Sequence, residues 1–285
     1  MRVSFSKPMI NGHTELIAHI GYPTHSFKSP MIYNPYFNKA GINAVVVPMG
    51  CTAENYPAFL KSVFTLENIR GALITMPHKV STVSLIDEVT ATVLVAGACN
   101  AVKRLADGRL VGDMFDGSGF VRGVQRKGFD LTDKRVLVVG TGGVGCAIAA
   151  SLAGAGISSI SLFDVNVAYC DALAKRLKDN HPKIEVCTGS SDPAGHDLVV
   201  NATPMGMNNG DPLPLDVSRL SPETFVGEVV MRAETTAFLE AAQARGCRTQ
   251  VGTDMLYEQI PAYLEFFGLP TTTAKVLRRV AQLSY

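Results

Sequence analysis

The stretch RVLVVGTGGVGCAIAASLAGAGISSISLFDVN, Arg135 to Asn166, reads as strand, glycine turn, helix and second strand almost without interruption. Val136 to Val139 is a continuous apolar run rich in β-branched residues, the pattern of a parallel strand buried on both faces. Gly140, Gly142 and Gly145 then satisfy G-x-G-x-x-G. The first glycine allows the tight turn, the second lets backbone approach a pyrophosphate, and the third lets helix pack on strand. Unpaired N–H groups and the positive dipole end at the start of that helix favour an anion. Ile160 to Phe163 form the second strand, which ends on Asp164, nineteen residues beyond Gly145. An acid at this spacing reaches the ribose 2′-hydroxyl of NAD. Val165 to Ala168 carries no arginine to neutralise a 2′-phosphate, and the first cation is Lys175. The pattern therefore predicts NAD in preference to NADP.

Working outward, 285 residues suffice for two domains, each with its own core. A formal net charge of +1 gives no long-range field for nucleic acid or an anionic membrane, so a small molecule is the expected partner. The six cysteines are scattered, with no C-x-x-C and no zinc-type spacing, which fits free thiols in a reducing cytoplasm and no metal centre. The N-terminal MRVSFSKPMINGHTEL lacks the apolar core of a signal peptide, and the longest apolar stretch, Cys146 to Ile157, is too short to span a bilayer.

The first 115 residues alternate strand and helix: strands at Leu16–Ile20, Ala44–Val47 and Ala72–Thr75, helices at Met31–Ala40 and Tyr56–Phe64. Asn100–Arg104 and Arg109–Asp113 flank Asp107-Gly108 as a hairpin. Beyond Asp164 come a helix to Asp179 and strands at Ile184–Cys187, Leu198–Ala202, Val226–Val230 and Arg248–Val251. A helix at Thr235–Arg245 precedes the last of these strands, and one at Met255–Phe267 follows it. The expected fold is α/β: one α/β domain over residues 1–115 and 252–285, to which the C-terminal helices return, and a doubly wound Rossmann domain over 116–251.

Chemistry is expected at the carboxyl ends of the strands. Thr75-Met76-Pro77-His78-Lys79 gathers hydroxyl, imidazole and ammonium past one strand, and Lys79 beside a carboxylate can shuttle a proton to an alcohol or ketone. Asp116 is the candidate carboxylate, with helix N-capping as its competing role. His25 and His78 are further acid/base candidates that nothing local separates from packed or solvated histidines. With no metal-ligand set nearby, hydride transfer with side-chain proton transfer is the economical reading.

The segments Gly21-Tyr22-Pro23-Thr24-His25-Ser26-Phe27-Lys28-Ser29-Pro30, Ile74 to Lys79, Ala96 to Asn100, Asp116-Gly117, Asn201 to Met207 and Met255 to Gln259 resemble, in order, the motifs of the shikimate/quinate dehydrogenase family. The resemblance implies a substrate domain joined to an NAD(P) Rossmann domain, and reversible oxidation of a ring hydroxyl of a cyclic hydroxy acid in the shikimate pathway by a monomer or homodimer. It makes Lys79 and Asp116 the catalytic pair. Ser26 and Ser29 would bind the substrate carboxylate, and Thr75, Asn100 and Gln259 its ring hydroxyls. Gly140, Gly142, Gly143, Val144 and Gly145 would hold the pyrophosphate and Asp164 the ribose, with Asn201, Thr203, Met205, Val229 and Gly252 lining the path toward the nicotinamide.

Three departures fall on the substrate side. The family's Ser-x-Ser-Pro becomes Ser26-Phe27-Lys28-Ser29-Pro30, so that the turn must bulge or use one serine. Its Asn-Thr before the catalytic Asp becomes Met114-Phe115. Its Asp-x-x-Tyr becomes Glu228-Val229-Val230-Met231, without the tyrosine. A matched polar contact carries large discrimination, so these changes bear on substrate choice. They also motivate an alternative, a catalytically silent NAD-binding sensor or regulatory protein on the same fold.

Overall fold

The computed structural model describes residues 10–284. Residues 1–9, part of the stretch read above for a signal peptide, lie outside the described residues. The first elements are β1 (Glu15–Gly21), α1 (Pro30–Ala40), β2 (Ala44–Gly50), α2 (Tyr56–Val63), β3 (Ile69–Ile74), β4 (Glu88–Val89), α3 (Ala91–Ala96), β5 (Ala101–Arg104) and β6 (Leu110–Asp113). There follow α4 (Asp116–Arg126), β7 (Arg135–Val139), α5 (Gly143–Ala153), β8 (Ser159–Phe163), α6 (Val167–Asn180), β9 (Glu185–Thr188), β10 (Leu198–Asn201), β11 (Phe225–Glu228), α7 (Ala237–Ala244), β12 (Arg248–Gln250), α8 (Gly252–Phe266) and α9 (Ala274–Val280). They divide into two compact units.

The first unit, residues up to Val89 with Cys99–Asp113 and Ile260–Ser284, is built on a mixed sheet in the order β2-β1-β3-β5-β6-β4. Ile17, Ala18 and Ile20 of β1 are fully buried, as a central strand requires. Pro48, which has no N–H to donate, is tolerated because β2 is the sheet edge. Pro30 opens α1 with its φ already set, and Gly41, at φ +68°, ends it in the left-handed region. β5 and β6 pair antiparallel around Asp107-Gly108.

The second unit, Thr90–Ala98 with Met114–Gln259, holds an all-parallel sheet in the order β12-β11-β10-β7-β8-β9. Counted along the chain from β7, that is the doubly wound order 3-2-1-4-5-6, which reverses between β7 and β10. Leu137, Val139, Val199, Val226, Phe238 and Leu239 share one core cluster on this sheet. α4 crosses α5 through Gly117, where a Cβ would lie 2.0 Å from Ala147 O.

The bounds of these units differ from those read in the sequence at three places, the smallest being Met114 and Phe115, which fall in the second unit. Residues 252–259 of α8 cluster with the second unit, because α8 packs on α4 there: a Cβ at Gly119 would lie 2.7 Å from both Gln259 Cβ and Met255 O. Residues 90–98 also belong to the second unit. α3, which no sequence pattern announced, is held there by Arg176 of α6, whose Nε donates to Val95 O (2.9 Å) and whose Nη2 donates to Ala96 O (3.2 Å). Among the described residues no helix is long and apolar enough to cross a membrane.

Candidate active site

In the first unit the candidates gather at the carboxyl ends of β1 and β3. These strands are parallel neighbours, with His19 opposite Leu73 and Ile20 opposite Ile74, so the turns that follow them leave side by side. Tyr22 N donates to Met76 O (2.9 Å) and Thr75 N to Ile20 O (2.9 Å). Gly21 has no room for a side chain, since its Cβ would lie 2.4 Å from Thr75 Cγ2 and 2.8 Å from Met76 O. Ile74 N takes Asn100 O (2.8 Å), and Cys99 N takes Lys79 O (2.8 Å), which brings Asn100 and the Lys79 turn to the same strand end. Thr75 and Lys79 are half-buried and Asn100 is fully buried.

His78 has a structural place: its Nε2 donates to Cys51 O at 2.8 Å, its ring stacks on Tyr56 at 3.9 Å, and burial pushes its pKa down. His25 is exposed. Ser29 is buried at the entry of α1, whereas Ser26 is half-exposed in a 3₁₀ turn, Thr24–Ser26, with its hydroxyl 3.4 Å from Pro23 O. The residue between them that packs inward is Phe27, stacked on His19 at 4.1 Å.

His19 was not singled out in the sequence. It is buried, its Nδ1 has no hydrogen-bond partner among the described residues, and burial together with the Lys79 charge pushes its pKa down to about 3. Its only signal was a polar residue inside the apolar run Leu16 to Ile20.

In the second unit the glycine turn sits at the reversal point of the sheet. Gly140, at φ +98°, occupies a conformation that side chains resist, and its Cβ would lie 2.8 Å from Ala202 O. At Gly145 a Cβ would be 1.9 Å from Gly140 O. Gly142 is exposed and caps α5, and a Cβ there would meet nothing within 4 Å. Gly143 and Val144 form the first turn of α5 and are half-buried. These residues fit a pyrophosphate: a helix start with open space before it and backbone amides facing it.

Asp164, at the end of β8, is tied to the same turn. Its Oδ2 accepts from Thr141 N (2.6 Å) and Thr141 Oγ1 (3.0 Å), and its Oδ1 accepts from Asn166 N (2.9 Å). A carboxylate accepts about four hydrogen bonds, so Oδ1 retains capacity for a ribose hydroxyl.

At the end of β10, Asn201 organises the turn through Met205. Its Oδ1 accepts from Thr203 N (3.1 Å) and Thr203 Oγ1 (2.6 Å), and its Nδ2 donates to Met205 O (3.2 Å). Val229 N donates to Asn201 O (3.2 Å), and Gly252 lies where a Cβ would be 2.4 Å from Val230 O.

Asp116 is 2% exposed and is the first residue of α4. Phe115 stands at the N-cap position and makes no side-chain capping hydrogen bond. Gln259 is likewise buried, on the stretch of α8 that packs against α4 at Gly119. Met114 is buried, and Phe115 and Met231 are half-buried. Among the described residues no group of three or more His, Cys, Asp or Glu could hold a metal ion.

Residues 19–102 match the model of the shikimate dehydrogenase substrate-binding domain, and residues 121–186, which contain the glycine turn, match that of the ThiF family. A shikimate dehydrogenase (NADP(+)) of Rubrobacter xylanophilus is 33% identical over 281 residues, 97% of this chain and 99% of the relative. A quinate/shikimate dehydrogenase of Escherichia coli is 31% identical over 257 residues, 86% of this chain and 88% of the relative. The crystal structure of shikimate 5-dehydrogenase from Listeria monocytogenes in complex with shikimate and NAD superposes with a TM-score of 0.85 at 26% identity, covering 95% of this chain and 97% of that one. On this likeness the chain belongs to the shikimate/quinate dehydrogenase family and is an NAD(P)-dependent oxidoreductase acting on a CH–OH group.

Proposed function

We propose that this protein is an NAD-dependent dehydrogenase that reversibly oxidises a ring hydroxyl of shikimate, quinate or a related cyclic hydroxy acid in the cytoplasm. The observation that carries the reading is the half-buried Lys79 in a turn joined by backbone hydrogen bonds to the end of β1 and to Cys99, beside Thr75 and Asn100, in a chain of this family. When bound, the nicotinamide supplies the hydride acceptor. Lys79 accepts the hydroxyl proton as the carbonyl forms and returns it in the reverse direction, with Asp116 as its partner in the catalytic pair. Thr75, Asn100 and Gln259 orient the ring through hydroxyl and amide groups, and Ser29, with Ser26, binds the carboxylate.

The test is turnover of NAD with shikimate and quinate in the wild type and in Lys79→Ala. The variant is expected to lose about 10²–10⁴-fold in kcat while NAD affinity stays unchanged. Undiminished turnover would remove Lys79 from the mechanism. Tight NAD binding without turnover in the wild type would favour the silent sensor.

For the cofactor, the carboxylate of Asp164 favours a ribose hydroxyl and repels a 2′-phosphate, and Val165 and Val167, both exposed, offer no compensating charge. Wild type is expected to prefer NAD over NADP in kcat/KM by about tenfold or more, and Asp164→Ala to erase that preference. An unchanged ratio would mean that Asp164 serves only to brace Thr141.

A further inference from the structure

Glu228 closes β11 with its carboxylate buried at 1% exposure and, among the described residues, no ion-pair partner. Burying such a group is costly unless donors surround it. Two do. Thr236 Oγ1 donates to Oε1 at 2.6 Å while the same hydroxyl caps α7 by accepting from Leu239 N, and Asn201 Nδ2 reaches Oε2 at 3.5 Å. The orientation of the Asn201 amide is fixed by its other bonds, because its Oδ1 is committed to Thr203 N and Oγ1. Its Nδ2 therefore faces Glu228 and Met205 O. Thr203 Oγ1 in turn accepts from Met205 N at 3.0 Å, so one carboxylate braces the whole Asn201–Met205 turn from beneath.

The carboxylate form suits this task and the acid form does not. Both neighbours present donors to Glu228. A protonated carboxyl carries one hydroxyl and cannot accept from both in the same way. Burial pushes the Glu228 pKa up to about 7, with the Thr236 and Asn201 bonds opposing it. Charged groups on the surrounding elements are engaged elsewhere. Arg248 of β12 lies over the Phe129 and Phe225 rings, Arg245 donates to Leu220 O, and Asp254 at the start of α8 pairs with Arg126 and Lys127. Asp211 accepts from the Gly206 and Asn208 amides, and Arg232, Glu234 and Glu240 are exposed.

We propose that Glu228 is a positioning residue for the dinucleotide: as a carboxylate it holds the Asn201–Met205 turn in the form that receives the nicotinamide half, and its protonation releases that turn and weakens binding. This rests on the assignment of Asn201, Thr203 and Met205 to the cofactor's path. A ligand that requires the deprotonated form loses affinity by about tenfold per pH unit below the midpoint of the group that controls it, until the protonated form's own affinity is reached.

The experiment is calorimetric titration of the whole protein with NAD from pH 5.5 to 8.5. In the wild type, affinity is expected to fall by about tenfold between pH 8 and pH 6, around a midpoint near that of Glu228. Glu228→Gln is expected to bind weakly and without pH dependence over this range. Thr236→Val, which removes a bond that lowers the Glu228 pKa, is expected to move the midpoint to higher pH, and Thr236→Ser to leave it in place. A residue that merely supports the fold would weaken binding equally at every pH and would not answer to Thr236. Wild-type binding that is flat with pH, or a midpoint that survives in Glu228→Gln, overturns the proposal. No binding of NAD or NADP at any pH overturns the cofactor assignment itself, and the proposal with it.

Discussion

After β7 the backbone forms the candidate binding surface, whereas after β3 side chains do. Gly140, Gly142 and Gly145 act by what they lack, and three residues of fixed spacing suffice to shape the turn. At the end of β3, Thr75 and Lys79 meet Asn100 only because β3 pairs with β1 on one side and β5 on the other. A site made of backbone is set by local spacing, while a site made of side chains is set by topology and tolerates exchange of the groups that select a ligand. The departure from the family's Ser-x-Ser-Pro at Ser26–Pro30 lies just after β1, the strand that pairs with β3.

One substitution in each unit tests this contrast with the largest expected effect. In Gly145→Ala the new methyl would lie 1.9 Å from Gly140 O, a backbone atom with nowhere to go, so the turn itself must open. NAD affinity is expected to fall by at least about 100-fold, with a loss of about 1–3 kcal/mol in stability. Gly21→Ala meets the Thr75 methyl at 2.4 Å and Met76 O at 2.8 Å, and is expected to cost a similar amount of stability and to impair turnover. Its NAD affinity should match the wild type. If calorimetry finds NAD binding equally damaged in both, the two surfaces are not separable and the contrast fails.

The same division explains what the sequence made legible. The β7–α5–β8 run and the acid at its end were readable because strand period, glycine spacing and Asp164 all lie within thirty-two residues. α3 was not, because its six residues, Ala91–Ala96, carry no amphipathic period and are held by a guanidinium eighty residues away. The packing of residues 252–259 onto α4 was equally hidden, since it depends on the absence of a side chain at Gly119. Ser26 and Ser29 could be named as carboxylate ligands from the family resemblance, but that Phe27 packs on His19 between them follows from the 3₁₀ turn at Thr24–Ser26. His19 was visible only as a polar letter in an apolar strand, and Glu228 only as the residue at the place of the family's Asp in Asp-x-x-Tyr. Their meaning came from burial.

His19 in the first unit and Glu228 in the second are buried titratable groups that act on stability with opposite sign. His19 has a folded pKa of about 3 against 6.5 unfolded, so the unfolded chain binds the extra proton between these values and stability rises with pH across that window. Glu228 has a folded pKa of about 7 against 4.5 unfolded, so the folded chain binds the extra proton and stability falls as pH rises from 4.5 to about 7. Each slope approaches about 1.4 kcal/mol per pH unit, and where the windows overlap they cancel. Urea denaturation at pH 5 and pH 6.5 separates them. His19→Leu is expected to lose stability between the two pH values and Glu228→Gln to gain it, by up to about 2 kcal/mol each, relative to the wild-type change over that interval. Parallel behaviour of the two variants would show that at least one of the groups is not held in the charge state its burial dictates.

The smallest expected effect on the fold is the most specific for the ligand. Gly140 needs its left-handed φ and the close Ala202 carbonyl leaves no room for a side chain, and Gly145 needs to clear Gly140 O. Gly142 needs neither: its φ is −68° and ψ −173°, a conformation any residue adopts, and its Cβ would meet nothing within 4 Å. Nothing among the described residues therefore calls for glycine there, which is the arrangement expected if a pyrophosphate comes within reach of the backbone. Gly142→Ala is expected to melt within about 0.5 kcal/mol of the wild type and to bind NAD about tenfold more weakly, a loss of about 1.4 kcal/mol. Unaltered binding in a protein that melts normally would mean that the pyrophosphate does not approach Gly142, and that the second glycine of the motif is silent here.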